Sequence, residues 1–201
     1  MSKQQLIIAI TGASGARYAL RLIERLLARD CVLHVLVSDA ACVVLKQECD
    51  VKLPADPAAM ASILKSAAAG TGGELYCYGK DDWFSPVASG SAGIRRMVVL
   101  PCSMGTLARI ANGISESLLE RAADVMLKER GQLILVPRET PLSAIHLEHM
   151  LKLSRLGVEM IPAMPGFYHR PQQIDELIDF VVDRVLDHLG VSNEEAKRWG
   201  V

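Results

Sequence analysis

Four short runs, Leu6–Ile10, Val32–Val37, Met97–Leu100 and Leu133–Val136, are apolar and rich in branched residues, and Val158–Ile161 is a weaker fifth. Runs this short that are apolar on both faces suit strands buried on both sides, as in a parallel sheet covered by helices. Helical periods lie between them. Ala16, Ala19, Leu20, Ile23, Leu26 and Leu27 form one apolar stripe, with Arg17, Arg21 and Glu24 facing away. Ser117-Leu118-Leu119-Glu120 has capping-box spacing and opens a helix predicted to run to about Arg130. Leu142–Leu156 predicts another, and the last begins after Pro171 and carries Ile174, Leu177, Ile178, Val181, Val182, Val185 and Leu189. Alternation of this kind predicts one doubly wound, three-layer α/β domain with a mostly parallel sheet, over residues 1–190, followed by a tail, 191–201.

The 201 residues suffice for one substantial core, and with 50% hydrophobic but only 4% aromatic residues that core is aliphatic. A formal charge of −1 gives no general attraction to nucleic acid or to an anionic membrane. No run approaches a spanning helix, and "MSKQQ" leads into an apolar run too short for a secretory signal. The five cysteines form no CxxC pair, and the three in apolar or helical-looking stretches are read as reduced structural thiols. The expected location is the cytoplasm. The least regular segment, Gly70–Arg96, is longer than an ordinary connection, and loops of that length usually serve function or a partner.

Ligands of an open parallel sheet collect beyond the carboxyl ends of its strands. Three such ends here are small and hydroxylated: Thr11-Gly12-Ala13-Ser14-Gly15, then Ser38, then Ser103-Met104-Gly105-Thr106. Glycine allows close backbone approach, and the helix that follows offers unpaired N–H groups to an anion. Taken alone, "GASG" is also compatible with a plain tight turn. Ser38 stands where an NAD ribose would call for a carboxylate, which favours a mononucleotide such as FMN. A second cluster combines Arg121, Lys128, Arg138, Glu139, Tyr168 and Arg184, groups able to hold a phosphate. On a helical wheel Arg184 falls beside Leu177 at the edge of the apolar stripe, opposite Asp175, Glu176, Asp179, Asp183 and Asp187. That placement suggests a buried anion, although a pair with Asp187 would also satisfy it.

Other groups carry less. His146 and His149 lack a third metal ligand, and Asp81-Asp82 is not a DDxxD motif. Cys102 has no evident histidine partner and reads as a packing residue, and Trp199 is either part of the tail or an aromatic lid.

In order, "TGASGARYALRL", "ASGSAG", "MVVLPCSMGTLARIANG", "RAADVMLKER", "LILVPRETPLSAIHLEHM", "PAMPGFYHRP" and "DRVLDHLG" resemble the flavin prenyltransferases of the UbiX type, over about residues 6–190. The resemblance implies a flavodoxin-like fold, usually a homododecamer. It also implies transfer of the dimethylallyl group of dimethylallyl monophosphate to reduced FMN without a metal, the prenylated FMN then serving a UbiD-type decarboxylase, including in ubiquinone biosynthesis. It implies FMN contacts at Gly12, Ala13, Ser14, Ser38, Ser103, Met104, Gly105, Thr106 and Arg138. The substrate phosphate is then met by Lys128, Glu139, Tyr168 and Arg184, with Arg121 close by, and Ser89 and Gly90 come from a neighbouring subunit. Lys128 and Glu139 are the catalytic groups at the phosphate, and Ser14 and Glu48 assist ring formation at the flavin.

Two departures from the family pattern stand out. "SAG" (Ser91-Ala92-Gly93) replaces a serine followed by an aromatic, and "PGFY" replaces "PAFY". The rivals are a flavin-dependent cysteine decarboxylase, which would carry "PASANT" in place of Pro101–Thr106, an aromatic-acid decarboxylase of the same fold, and a non-catalytic FMN-binding subunit.

Overall fold

A computed structural model describes residues 3–193. In chain order it contains β1 (Gln5–Ile10), α1 (Ala16–Leu27), β2 (Val32–Val37), α2 (Asp39–Cys49), α3 (Pro57–Ala67), β3 (Glu74–Cys77), β4 (Arg96–Cys102), α4 (Met104–Ala111), α5 (Leu118–Lys128), β5 (Gln132–Pro137), α6 (Ala144–Arg155), β6 (Glu159–Met160) and α7 (Ile174–His188). Two single 3-10 turns, Pro86–Ala88 and Gly90–Ala92, precede β4. Among the described residues the sheet has six strands in the order β3-β2-β1-β4-β5-β6, all parallel. The predicted class holds, with every strand pair parallel.

The alternation of side chains along β1 divides the core. Leu6, Ile8 and Ile10 join the layer containing α1 and α7, while Ile7 and Ala9 join the layer containing α4 and α5. Both groups are fully buried, as a central parallel strand requires.

Three elements were not legible as such. β3 lies inside the segment read as irregular; it is a four-residue edge strand, "ELYC", mostly half-exposed, and so carries no apolar run. Helices α2 and α3 bury only Ala41 and Leu45, and Leu64, respectively, which is too few to make a stripe. β6 is shorter than Val158–Ile161, at Glu159–Met160. The packing also continues past residue 190: Val191 is buried, and so is Asn193, whose side chain bonds Arg25 and Asp183.

The charged face of α1 does turn away from the sheet, but it meets the acidic face of α7. Arg17, Arg21 and Arg25 pair with Asp175, Asp179 and Asp183, a ladder repeating every four residues along two parallel helices. Arg21 makes a bidentate contact with Asp179, at 2.6 and 2.9 Å. The rungs differ in burial. Side-chain exposure is 48% and 67% at Arg17–Asp175 but 9% and 15% at Arg25–Asp183. Burial pushes the Asp183 carboxyl above its usual range, only partly offset by Asn193 and Arg25.

Deleting one partner of the buried rung strands the other charge, whereas the exposed rung is screened by water. Arg25→Ala is expected to cost about 3 kcal/mol and Arg17→Ala less than about 1 kcal/mol, measured by urea denaturation at neutral pH. Equal losses would show that burial does not rank the rungs.

Candidate active site at the carboxyl edge

The strand order reverses between β1 and β4, and their exits define a crevice. Thr11 closes its floor. This buried hydroxyl donates to Pro101 O at 2.7 Å and accepts the Ser103 N–H at 2.7 Å. Gly12 is required by close approach, since a Cβ there would lie 2.5 Å from Ala40 Cβ at the start of α2. Gly15 adopts a left-handed φ of 119° and has no side chain with which to cap α1.

Glu48, from the last turn of α2, supplies that cap. Its Oε2 accepts the N–H groups of Gly15 and Ala16, each at 2.9 Å. Burial opposes the charge of Glu48, but the Ser14 hydroxyl, those two N–H groups and the positive charge of Arg138 outweigh it and hold the carboxyl below its usual range. Glu48 is therefore an anion at a helix N-terminus. Arg138, leaving β5, donates from Nε to Ser14 O at 3.2 Å. Gly12, Ala13, Ser14, Glu48 and Arg138 thus form one contiguous wall.

The opposite wall is built from caps. Ser38 Oγ accepts the Ala41 N–H at 3.1 Å. Ser103 Oγ accepts the Thr106 N–H at 3.2 Å and lies 3.0 Å from Thr106 Oγ1. Ser117 and Glu120 form the expected capping box. The first turns of α2, α4 and α5 all open on one cleft, lined also by Tyr78 and Lys80. At Gly105 a Cβ would meet nothing within 4 Å, so the first turn of α4 has open space beside it. Met104 is buried, and its side chain packs in the core layer with α4 and α5.

Three helix N-termini, hydroxyls and a lysine suit the phosphate of a mononucleotide. Gly12–Ser14 leave the carboxyl end of β1, which lies between β2 and β4, and so stand at the same edge as this cleft; the residues present fit FMN. Tyr78 is braced by His34, its hydroxyl 2.7 Å from Nδ1, and burial pushes the phenol up to about 12. Tyr78 and Lys80 had no role in the sequence reading, and Thr11 entered it only as one hydroxyl of the segment after β1.

The second cluster divides in two. Glu139 follows β5 and Tyr168 follows β6, both at the carboxyl edge. Glu139 is exposed, and its Oε1 accepts the Thr140 N–H at 3.1 Å. Lys128 ends α5, just before β5 begins, and pairs with Glu129 at 2.5 Å. Glu129 also meets Arg95, which precedes β4. Arg121 donates to Ala88 O at 3.1 Å, and a Cβ on Gly90 would lie 2.5 Å from the Glu129 carboxyl. Ser89, Gly90, Arg121 and Lys128 therefore follow one face of α5, from Arg121 in its second turn to Lys128 at its end, which lies toward the amino edge of the sheet.

A strand of six residues, at about 3.3 Å each, separates Lys128 from Glu139 by roughly 20 Å. The expected single cluster is not formed within one chain. Arg184 is exposed rather than buried and stands 3.5 Å from Asp187, the pairing that the sequence left open.

His146 and His149 serve their helix and its neighbour, as N-cap partner of Ser143 and as partner of Asn112. No cluster of three or more His, Cys, Asp or Glu able to hold a metal occurs among the described residues. Asp82 lies in a hydrogen-bonded turn. All five cysteines are free, and burial pushes the Cys102 thiol up to about 12, which makes it a poor nucleophile. No helix of the described residues is long and apolar enough to cross a membrane. Trp199 lies outside the described residues.

The chain matches the Flavoprotein family over residues 1–186. It is 50% identical over 197 residues to the flavin prenyltransferase UbiX of Pseudomonas aeruginosa, covering 98% of this chain and 94% of that protein. The crystal structure of AnUbiX in complex with FMN and dimethylallyl pyrophosphate is similar at a TM-score of 0.88 and 36% identity, covering 100% of this chain and 99% of that one. A dodecameric FMN-dependent UbiX-like decarboxylase from Escherichia coli O157:H7 is similar at 0.85 and 38%, covering 98% of this chain and 100% of that one. Built on a mononucleotide crevice and matched over nearly its whole length, the chain belongs to the flavoprotein family and, within it, to the UbiX flavin prenyltransferases.

Proposed function

We propose that this chain joins the dimethylallyl group of dimethylallyl monophosphate to reduced FMN at flavin N5 and C6, and that a UbiD-type decarboxylase uses the product. The observation that carries this reading is the adjacency of Arg138 and Glu139. One is anchored to the mononucleotide wall through Ser14 O, and the other stands exposed beside it. This puts a proton-handling carboxylate next to the flavin cradle. The 50% identity to a flavin prenyltransferase favours this activity over the decarboxylase and non-catalytic alternatives.

When bound, reduced FMN supplies the nucleophilic nitrogen and carbon. The chain supplies position and charge. The hydroxyls of Ser38 and Thr106, with the first turns of α2, α4 and α5, hold the nucleotide phosphate. Ser14, held by Glu48 and Arg138, presents its hydroxyl to the ring. Glu48, kept charged by its cap position, orients Ser14 rather than exchanging protons itself. Departure of the donor phosphate requires cations and a proton source. Arg184, Tyr168 and Lys128 stabilise the leaving group, and Glu139 moves the proton at Oε2, since Oε1 is occupied by the Thr140 N–H.

Because Lys128 and Glu139 lie at opposite edges of one sheet, a complete site takes Lys128, Arg121, Ser89 and Gly90 from a second copy. A homo-oligomer, such as the dodecamer named for the E. coli relative, meets that requirement.

Three outcomes test the proposal. Anaerobic incubation with reduced FMN and dimethylallyl monophosphate is expected to raise the flavin mass by one isoprenyl unit; an unchanged flavin overturns the activity. Arg184→Ala is expected to raise the donor KM about tenfold with unchanged FMN affinity, and loss of flavin instead would mean that the two anions do not have separate sites. Glu139→Gln and Lys128→Ala should each slow turnover about 100-fold or more. Oligomers mixed from these two variants should recover a sizeable fraction of activity, because some sites regain both residues. No recovery in verified mixed oligomers would place both groups in one chain's site.

A further inference from the structure

Tyr168 lies on the segment that leaves β6, and Arg184 lies on α7, so something must hold the two in a common frame. Ala163 ties this segment to the sheet through its N–H to Pro137 O at 2.9 Å. Beyond it the chain packs on one ring, Phe180. Tyr168 meets Phe180 edge-on, with centroids 5.7 Å apart and planes at 75°. His169 stacks on Phe180 at 5.6 Å and 6°. Gly166 is the third contact: a Cβ there would lie 2.8 Å from Phe180 Cζ and 3.2 Å from Tyr168 Cε1. The absence of a methyl group at 166 is thus what lets the two rings close on the backbone. Phe180 is one helical turn before Arg184 on α7, and both line the cleft beyond β6.

We propose that Phe180 is a positioning residue for the isoprenoid donor: seated against Gly166, its ring fixes Tyr168 in register with Arg184, so that the two grip one phosphate. The proposal rests on the reading of Tyr168 and Arg184 as donor-phosphate contacts. It also gives the glycine of "PGFY" a specific task. Here the Phe180 ring occupies the space that the methyl group of an alanine would fill.

The test is equilibrium binding of dimethylallyl monophosphate to protein loaded with oxidised FMN, which cannot be alkylated, alongside donor KM and kcat with reduced FMN. Phe180→Leu keeps apolar bulk but loses the ring edge. It is expected to weaken donor binding roughly three- to tenfold and to lower kcat/KM by at least the same factor, with FMN affinity nearly unchanged. Phe180→Tyr, which keeps the ring, is expected to bind like the parent. Gly166→Ala is an independent probe, since it displaces the ring without removing it. It should match Phe180→Leu when introduced alone and add little on top of it, because the ring it displaces is then already gone.

In a Tyr168→Ala background, Phe180→Leu should have no further effect on donor binding, whereas a merely structural role for Phe180 would weaken binding equally in both backgrounds. Equal weakening overturns the proposal, as does parent-like binding by both Phe180→Leu and Gly166→Ala while Tyr168→Ala binds poorly. If Tyr168→Ala and Arg184→Ala both bind the donor like the parent, the underlying reading of the phosphate contacts fails as well. The two failures are thereby distinguishable.

Discussion

The site depends on one buried hydroxyl. At the switch point β1 and β4 lie side by side, but their chains leave toward different helices, and a gap between their exits is unavoidable. Thr11 spans that gap by giving its proton to Pro101 O and taking the Ser103 N–H. Without an oxygen there, a buried amide would lose its partner, at about 1–3 kcal/mol. With it, the glycine loop after β1 and the serine cap after β4 are held in fixed relation. Everything described as a cradle is built outward from this contact. Ser103 can cap α4 because its own backbone is fixed, and Gly12 can approach α2 because the loop before it is anchored.

A second constraint is electrostatic. The crevice gathers the positive ends of α1, α2, α4 and α5, which favours a phosphate but leaves each helix with orphan N–H groups. The chain satisfies three of these ends locally, with Ser38, Ser103 and Ser117. At α1 a glycine is needed for its left-handed turn, so a side-chain cap must come from elsewhere, and Glu48 reaches in from α2. This separates two roles within one crevice. The hydroxyl cap of Ser103 leaves the α4 end without a carboxylate and open to an anion, whereas Asp39 stands in the first turn of α2, Glu120 completes the box of α5, and Glu48 neutralises the α1 end beside Ser14.

The sequence was legible where a local pattern reflects a local cause. The four strong apolar runs mark buried strands, and Ser117 with Glu120 marks a helix start, because burial and capping act on neighbouring residues. It was illegible where the cause is distant. β3 is a strand because Leu33 and Val35 present an open edge to it, not because "ELYC" prefers to be one. The arginines of α1 face away from the sheet, as the helical period requires, but nothing local says that α7 meets them with aspartates in parallel register. That the segments after β1, β2 and β4 gather at one edge was legible because strand exits in this fold all point to one edge. The phosphate group was not, because linear order hides that Lys128 precedes β5 while Glu139 follows it.

That separation bears on how the cations are kept before a donor arrives. Lys128 rests on Glu129 and Arg184 on Asp187, and all four groups are exposed or half-exposed. Ion pairs of this kind contribute about 0–1 kcal/mol, whereas hydrogen bonds from a cation to a phosphate are worth about 1.5–3 kcal/mol each. If both cations hold the donor phosphate as proposed, exchange of the carboxylate for it needs no rearrangement of a core. A buried cation could not make that exchange cheaply: Arg25, enclosed with Asp183 and Asn193, shows what the fold does when an arginine is there to hold helices together. The exposure of Arg184 leaves it free of that constraint, as the proposed donor site requires.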